Sequence, residues 1–262
     1  MRRRLRSIET RVLPRSWRDL VRQLLLFAVS YAVYEVVRGF ADGDPAKAAG
    51  NATKIINFER LLHVFIEPSV QSWVSARHWL IDLADWTYLN AHYLVTLGVL
   101  VFLYLRRNDS FYFVRNMFVV AMAIALIGYF LYPTAPPRLM PEWGFTDSIA
   151  QFTGITVENT PINALLNIYA AVPSMHVCFA IMVGWPMARL VGPRVAKIVW
   201  SLYPLFITFV VVATGNHYLI DAILGALTAG MAAVVASRLG RARPEAWAFE
   251  AAGVPAVIEA PA

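Results

Sequence analysis

The chain has 262 residues, of which 58% are hydrophobic and only 15% charged. A soluble domain of this length runs nearer half apolar and a quarter charged, so the composition excludes an ordinary globular protein and places the chain in the membrane class. The formal charge of +6 fits topology-setting and lipid-facing basic residues in such a chain and calls for no nucleic acid. The single cysteine, Cys178, excludes a disulfide framework and a cysteine-rich metal site; set in an apolar run, it is expected only to pack.

Six stretches are apolar enough to cross about 30 Å of hydrocarbon, which takes about 20 residues. They cover approximately 20–38, 80–105, 112–132, 174–191, 196–214 and 217–237. The expected fold is all-α: a polytopic six-helix membrane bundle with an amphipathic interfacial helix between spans one and two. Residues 1–19 form a basic cytoplasmic segment, 20–238 the membrane catalytic domain, and 239–262 an Ala/Pro-rich tail that lacks periodicity and reads as disordered. The first span follows "MRRRLR", but it is long, ends at Glu35 and Arg38, and shows no small-residue cleavage pattern, so it reads as uncleaved.

With the N-terminus inside, the cytoplasmic parts hold 17 of the 23 Lys/Arg. The outer parts hold Arg38, Lys47, Lys54, Arg60, Arg77 and Arg138. That asymmetry predicts cytoplasmic termini. Between spans one and two, Ile55, Ile56, Leu61, Leu62, Phe65 and Ile66 recur at helical spacing with charges between them, as in a helix lying in the outer interface. It reads as a cap without chemistry, with His63 and His78 as interfacial residues.

On this topology three polar motifs reach one level. His176 in "VPSMHV" heads span four, His217 in "TGNHYLID" heads span six, and Arg138 in "TAPPRLMP" follows span three. An ionisable group inside a membrane segment costs a few kcal/mol and needs a partner. His217 and Asp221, at i and i+4, share a helix face. The carboxylate can hold one ring nitrogen as N–H and leave the other free to attack phosphorus. Ser174 can cap a helix N-terminus or donate to an anion. His176 can hand a proton to a leaving oxygen, and Arg138 offers a planar fork for phosphate oxygens. Further along, Asp82, Asp85 and His92 at the start of span two, with Asn90 beside His92, are candidate ligands for a polyol headgroup or acceptor.

"TAPPRL", "PSMH" and "GNHYLIDAILG" resemble, in order, the three motifs of the type 2 phosphatidic acid phosphatase superfamily, which read roughly K-x6-R-P, P-S-G-H and S-R-x5-H-x3-D. The resemblance covers approximately residues 80–237 and looks closest to the inositolphosphotransferase branch, which includes inositol phosphorylceramide synthases. It implies a mechanism without metal or cofactor, in which His217 becomes a phosphohistidine, Asp221 orients it and His176 protonates the leaving group. The substrate would be a membrane phospholipid or lipid-linked phosphate, and the acceptor a polyol, an alcohol or water.

The departures carry information. Leu131 stands where the phosphatases carry lysine, Val211 where they carry arginine, and Met175 where they carry glycine. One remaining arginine suits a monoanionic diester better than a monoester, which bears −1.5 to −2 charge, unless Lys47, Lys54 or Arg60 folds back. The expected function is transfer of a phospho-headgroup, with a lipid or prenyl phosphate hydrolase as the alternative. A transporter is more remote, because the ionisable groups cluster at one face and no internal repeat appears.

Overall fold

The computed structural model describes residues 13–41, 44–154 and 167–247. The basic run at 1–12 and the tail at 248–262 lie outside these residues. Among the described residues the regular structure is helical: α1 (Trp17–Phe40), α2 (Pro45–Leu61), α3 (Glu67–Ser75), α4 (His78–Trp86), a π-helical turn (Thr87–Ala91), α5 (His92–Arg106), α6 (Asn108–Leu131), α7 (Ser148–Thr153), α8 (Met175–Leu190), α9 (Arg194–Ala213), α10 (Leu219–Ala242) and α11 (Pro244–Trp247).

Five segments are long and apolar enough to cross a bilayer: α1, the unit His78–Arg106, α6, α9 and α10. The expected fourth span, α8, has only 16 residues. At 1.5 Å per residue it covers about 24 Å, so the length criterion supports five spans where six were expected. Its position explains the difference. α8 packs against α6, α9 and α10, and Cys178, Ala180, Met182 and Val183 along it are fully buried. The outer spans instead show Leu24, Val29, Val33, Val199, Leu205 and Leu227 on their surface, as lipid-facing helices do. α10 continues past residue 238 to Ala242, and α11 adds another turn where the tail was expected to begin.

The interfacial segment is two helices instead of one. They are separated by a turn in which His63 takes a positive φ of 59°, and Pro68 sits at the start of α3, where a missing N–H does no harm. Both helices bind the loops above the bundle. Asn51 of α2 donates to the Pro133 carbonyl at 2.9 Å. Gln71 of α3 donates to Thr146 O at 2.9 Å and accepts from Thr146 N at 3.0 Å. This segment therefore positions the 133–147 loop.

At the opposite end of the bundle, Asp19 of α1 accepts from Tyr104 (3.0 Å) and Tyr112 (2.8 Å), and buried Arg115 donates to Gln23 at 2.7 Å. Polar groups placed in an apolar bundle are thus paired across helices. This network ties α1 to α5 and α6.

Candidate active site

The three motifs are brought together by the backbone before any side chain acts. Ser174 N donates to Asp221 O at 3.0 Å, joining the start of α8 to the first turn of α10. Arg138 N donates to Gly215 O at 2.7 Å, joining the loop after α6 to the turn before His217. Gly215 has φ +65°, the left-handed region that a residue with a Cβ rarely enters. Gly225 serves closeness instead: a Cβ there would run into the Ser174 carbonyl oxygen. Gly225→Ala should therefore push α8 off α10 and destabilise the protein by about 1–3 kcal/mol, read as a lower thermal midpoint in detergent together with reduced activity. An unchanged midpoint would contradict the contact.

These ties close a cavity of about 310 Å³ lined by His176, His217, Arg138, Asn216 and Met175, among others. His217 Nδ1–H donates to Asp221 Oδ2 at 3.3 Å, and the same oxygen accepts from Tyr218 N at 3.0 Å. Asp221 is fully buried, so it stands behind the histidine and leaves Nε2 to face the cavity. The His176 and His217 ring centroids are 6.0 Å apart, room for one phosphorus centre between them.

His176 is held from the second span. Its ring stacks on Tyr88 at 4.2 Å and lies 4.7 Å from the His92 ring. Its Nε2 is buried with no protein partner among the described residues. Tyr88 belongs to the π turn Thr87–Ala91, the kind of irregularity that frees a carbonyl and marks functional sites.

Arg138 Nε donates to Asn216 Oδ1 at 3.0 Å and Nη1 to Asp147 Oδ2 at 3.1 Å. Nη2 has no protein partner among the described residues, which leaves it for an anion. Ser174 is fully buried and caps α8 by accepting from Val177 N at 3.5 Å; it does not line the cavity.

Of the four span-two candidates only His92 lines the cavity. Asp82 and Asn90 are exposed, and Asp85 is buried against Ser148, which donates to it at 2.8 Å. The structure does not bring those three to the cavity: Asp82 and Asp85 precede the π turn Thr87–Ala91, and Asn90 lies within it.

The other limb of the cavity comes from α1 and α6. Tyr31, Tyr34, Glu35, Arg38 and Tyr129 line it. Arg38 donates from Nη1 to Glu35 at 3.1 Å and from Nη2 to Asn167 O at 3.4 Å, and its buried Nε has no partner. The second cation at the site is therefore Arg38. Lys47 is exposed, Lys54 donates to Asn51 at 3.3 Å, and Arg60 lies over Trp143. Glu35 and Arg38 had been legible only as the end of a span, although an i, i+3 ion pair at membrane depth is itself a functional signal. Among the described residues no group of three His, Cys, Asp or Glu is placed to hold a metal ion.

The family described as the PAP2 superfamily matches residues 53–235. The chain is 23% identical over 227 residues to the phosphoinositol dihydroceramide synthase of Bacteroides thetaiotaomicron, covering 76% of this chain and 70% of that protein. No solved structure matches it significantly. A match over well more than half of the chain, taking in all three motifs, identifies it as a member of the PAP2 superfamily, similar to the inositolphosphotransferase-like branch.

Proposed function

We propose that this protein is a membrane phosphotransferase that cleaves a lipid phosphodiester through a phosphohistidine on His217 and moves the phospho-headgroup to an alcohol. In the first step His217 Nε2 attacks phosphorus and the phosphorus–oxygen bond to the lipid alcohol breaks, with His176 giving its proton to the departing oxygen. In the second, His176 takes the proton of the acceptor hydroxyl, that oxygen attacks phosphorus, and the phosphorus–nitrogen bond breaks to restore His217. Asp221 holds the Nδ1–H and balances the positive charge that forms on the ring. The steps call for no metal and no cofactor.

The observation that carries the diester reading is charge balance. Two arginines line the cavity, and each is paired with a carboxylate at 3.1 Å: Arg138 with Asp147, and Arg38 with Glu35. The fixed ions nearly cancel, which suits a monoanionic diester and leaves a dianionic monoester under-compensated. The Tyr31, Tyr34 and Tyr129 hydroxyls and Glu35 supply hydrogen-bonding groups for a hydroxylated headgroup, such as the phosphoinositol in the relative's name.

The superfamily match is equally met by a phosphohydrolase with water as acceptor, and one assay separates the two. Purified protein in chelating buffer should turn over phosphatidylinositol in preference to a lipid phosphomonoester. A large monoester preference would favour the hydrolase and sink the diester reading.

The site is placed at the extracytoplasmic face, with both termini cytoplasmic, on the strength of the Lys/Arg asymmetry. Native Cys178 is fully buried, so introduced cysteines can be read against a silent background. Glu142→Cys should be labelled from outside intact cells and Asp109→Cys should not; the reverse pattern would invert the orientation.

A further inference from the structure

Glu59 of α2 and Glu67 of α3 are both fully buried. Both reach the start of the helix that carries the His217 motif: Glu67 Oε1 accepts from Leu219 N at 3.0 Å, and Glu59 Oε1 from Ile220 N at 2.8 Å. Asp221 Oδ2 takes the preceding amide, Tyr218 N, at 3.0 Å. Three successive amides, which a helix leaves unsatisfied at its N-terminus, are thus each bonded to a different carboxyl group. Their second oxygens, Glu59 Oε2 and Glu67 Oε2, are both buried with no hydrogen-bond partner.

Two orphaned oxygens on carboxyl groups anchored to successive amides can satisfy each other only if one carries a proton, because an ionised carboxylate has nothing to donate. The neighbours favour that state. Glu67 and Asp221 act on Glu59 as negative neighbours against the stabilising Ile220 N–H, and the adjoining Tyr218 meets Asp221, Glu59, Glu67 and Glu142. Like charges at this spacing do not both ionise in a buried site.

We propose that Glu59 and Glu67 share a single proton and together form a positioning latch, by which the interfacial helices hold the N-terminus of α10, and with it the His217–Asp221 pair, in the geometry for attack. Glu59 and Glu67 touch neither substrate nor reacting atoms; they act through the backbone of residues 219 and 220. Loss of the shared proton puts two negative charges side by side and drives α2 and α3 apart. The latch is then released from the two amides that immediately precede Asp221.

Burial, followed by the neighbouring Glu67 carboxyl, pushes the Glu59 carboxyl up to about 9. Since the folded value lies above the ordinary glutamate value of about 4.3, the latch is fully closed below that ordinary value and is lost as pH rises through about 9.

The inference rests on the reading of His217 as nucleophile only for its activity arm, so two readouts are needed on the full-length protein in detergent. The first is the infrared C=O stretch of a protonated carboxyl, followed from pH 6 to 10 as the difference between wild type and Glu59→Gln. The band should be present at pH 7 and fade through about pH 9. Its absence at pH 7 overturns the shared proton, whatever the enzyme does.

The second is the pH profile of kcat and KM on the lipid donor. In Glu59→Gln the amide oxygen still accepts from Ile220 N while the amide N–H donates to Glu67, so the closed state is retained without a titrating proton. Its kcat at pH 7 should stay within about threefold of wild type, and its ratio of kcat at pH 10 to kcat at pH 7 should exceed the wild-type ratio about tenfold. Glu59→Ala should lower kcat at least tenfold with KM little changed.

A Glu59→Gln profile that superimposes on wild type overturns the latch even if Glu59→Ala fails to fold. An active His217→Ala beside a normal infrared titration would instead overturn the proposed nucleophile and leave the carboxyl pair standing.

Discussion

His217→Ala should abolish activity on every substrate, because no other group in the cavity can take over attack through a ring nitrogen backed by a buried carboxylate. Asp221→Asn should keep the fold, since an amide oxygen at the Oδ2 position still accepts from Tyr218 N and from His217. The imidazolium that forms during attack would then lack its counter-charge. A fall of up to about 10⁴-fold is expected, the size reached when the carboxylate behind a catalytic imidazole is neutralised.

His176→Ala should behave differently. Its task is proton transfer, worth about 10²–10⁴-fold, and a leaving group such as nitrophenolate needs no proton. With a nitrophenyl phosphodiester, His176→Ala should give a burst of nitrophenolate and then near-arrest, with phosphate kept on the protein in an acid-labile bond. The arrest arises because the same histidine must deprotonate the acceptor. A burst from His217→Ala and none from His176→Ala would exchange the two roles, and full activity of either mutant on the natural lipid would move the site elsewhere.

The positions of five spans and of the three motifs were legible because each rests on a local signal: apolar length for a span, and a histidine with an i+4 aspartate for the nucleophile candidate. The misses share a different cause. Asp82 and Asp85 were grouped with His92 on a helical period that the π turn Thr87–Ala91 interrupts, with Asn90 added for its nearness in sequence, and no composition or spacing rule announces a π turn in an apolar run. The same turn brings Tyr88 onto His176, a contact that a regular helix would not have suggested.

In sequence, Glu59 falls among the charges between the apolar positions of the interfacial stretch and Glu67 directly after them. Periodicity distinguishes apolar from polar faces, but it does not reveal that the free amides of another helix come to cover the polar one. Arg38 was passed over for lysines and arginines nearer the loops. Its place in the cavity depends on α1 packing against α6, where Tyr34 and Tyr129 approach with hydroxyls 3.3 Å apart, which is tertiary information.

The charge-balance reading predicts a change of substrate preference from one atom's worth of substitution. Arg138 is fixed from three directions: its backbone by Gly215 O, its Nε by Asn216, and its Nη1 by Asp147. Nη2, which has no partner among the described residues, is left for a phosphate oxygen. Lysine in its place keeps the charge but cannot span Asn216, Asp147 and the phosphate together. Arg138→Lys should therefore cost about 10²–10³-fold in kcat, as loss of a preorganised donor to developing charge does.

Asp147→Asn tests the balance itself. Asp147 also caps α7, accepting from Ala150 N at 3.0 Å, and asparagine is as good a cap, so the fold should hold. The substitution removes a negative charge from beside Arg138 and leaves the cavity one unit more positive. Even through a partly solvated site, one added unit charge a few ångströms away favours a dianion over a monoanion by on the order of 1 kcal/mol or more. The ratio of kcat/KM for a lipid phosphomonoester to that for phosphatidylinositol should rise about tenfold in Asp147→Asn, with a thermal midpoint close to wild type. If the ratio is unchanged while the protein stays folded and active, the paired arginines do not set the preference for a diester, and selection must come from the shape of the headgroup limb around Tyr31, Tyr34 and Tyr129.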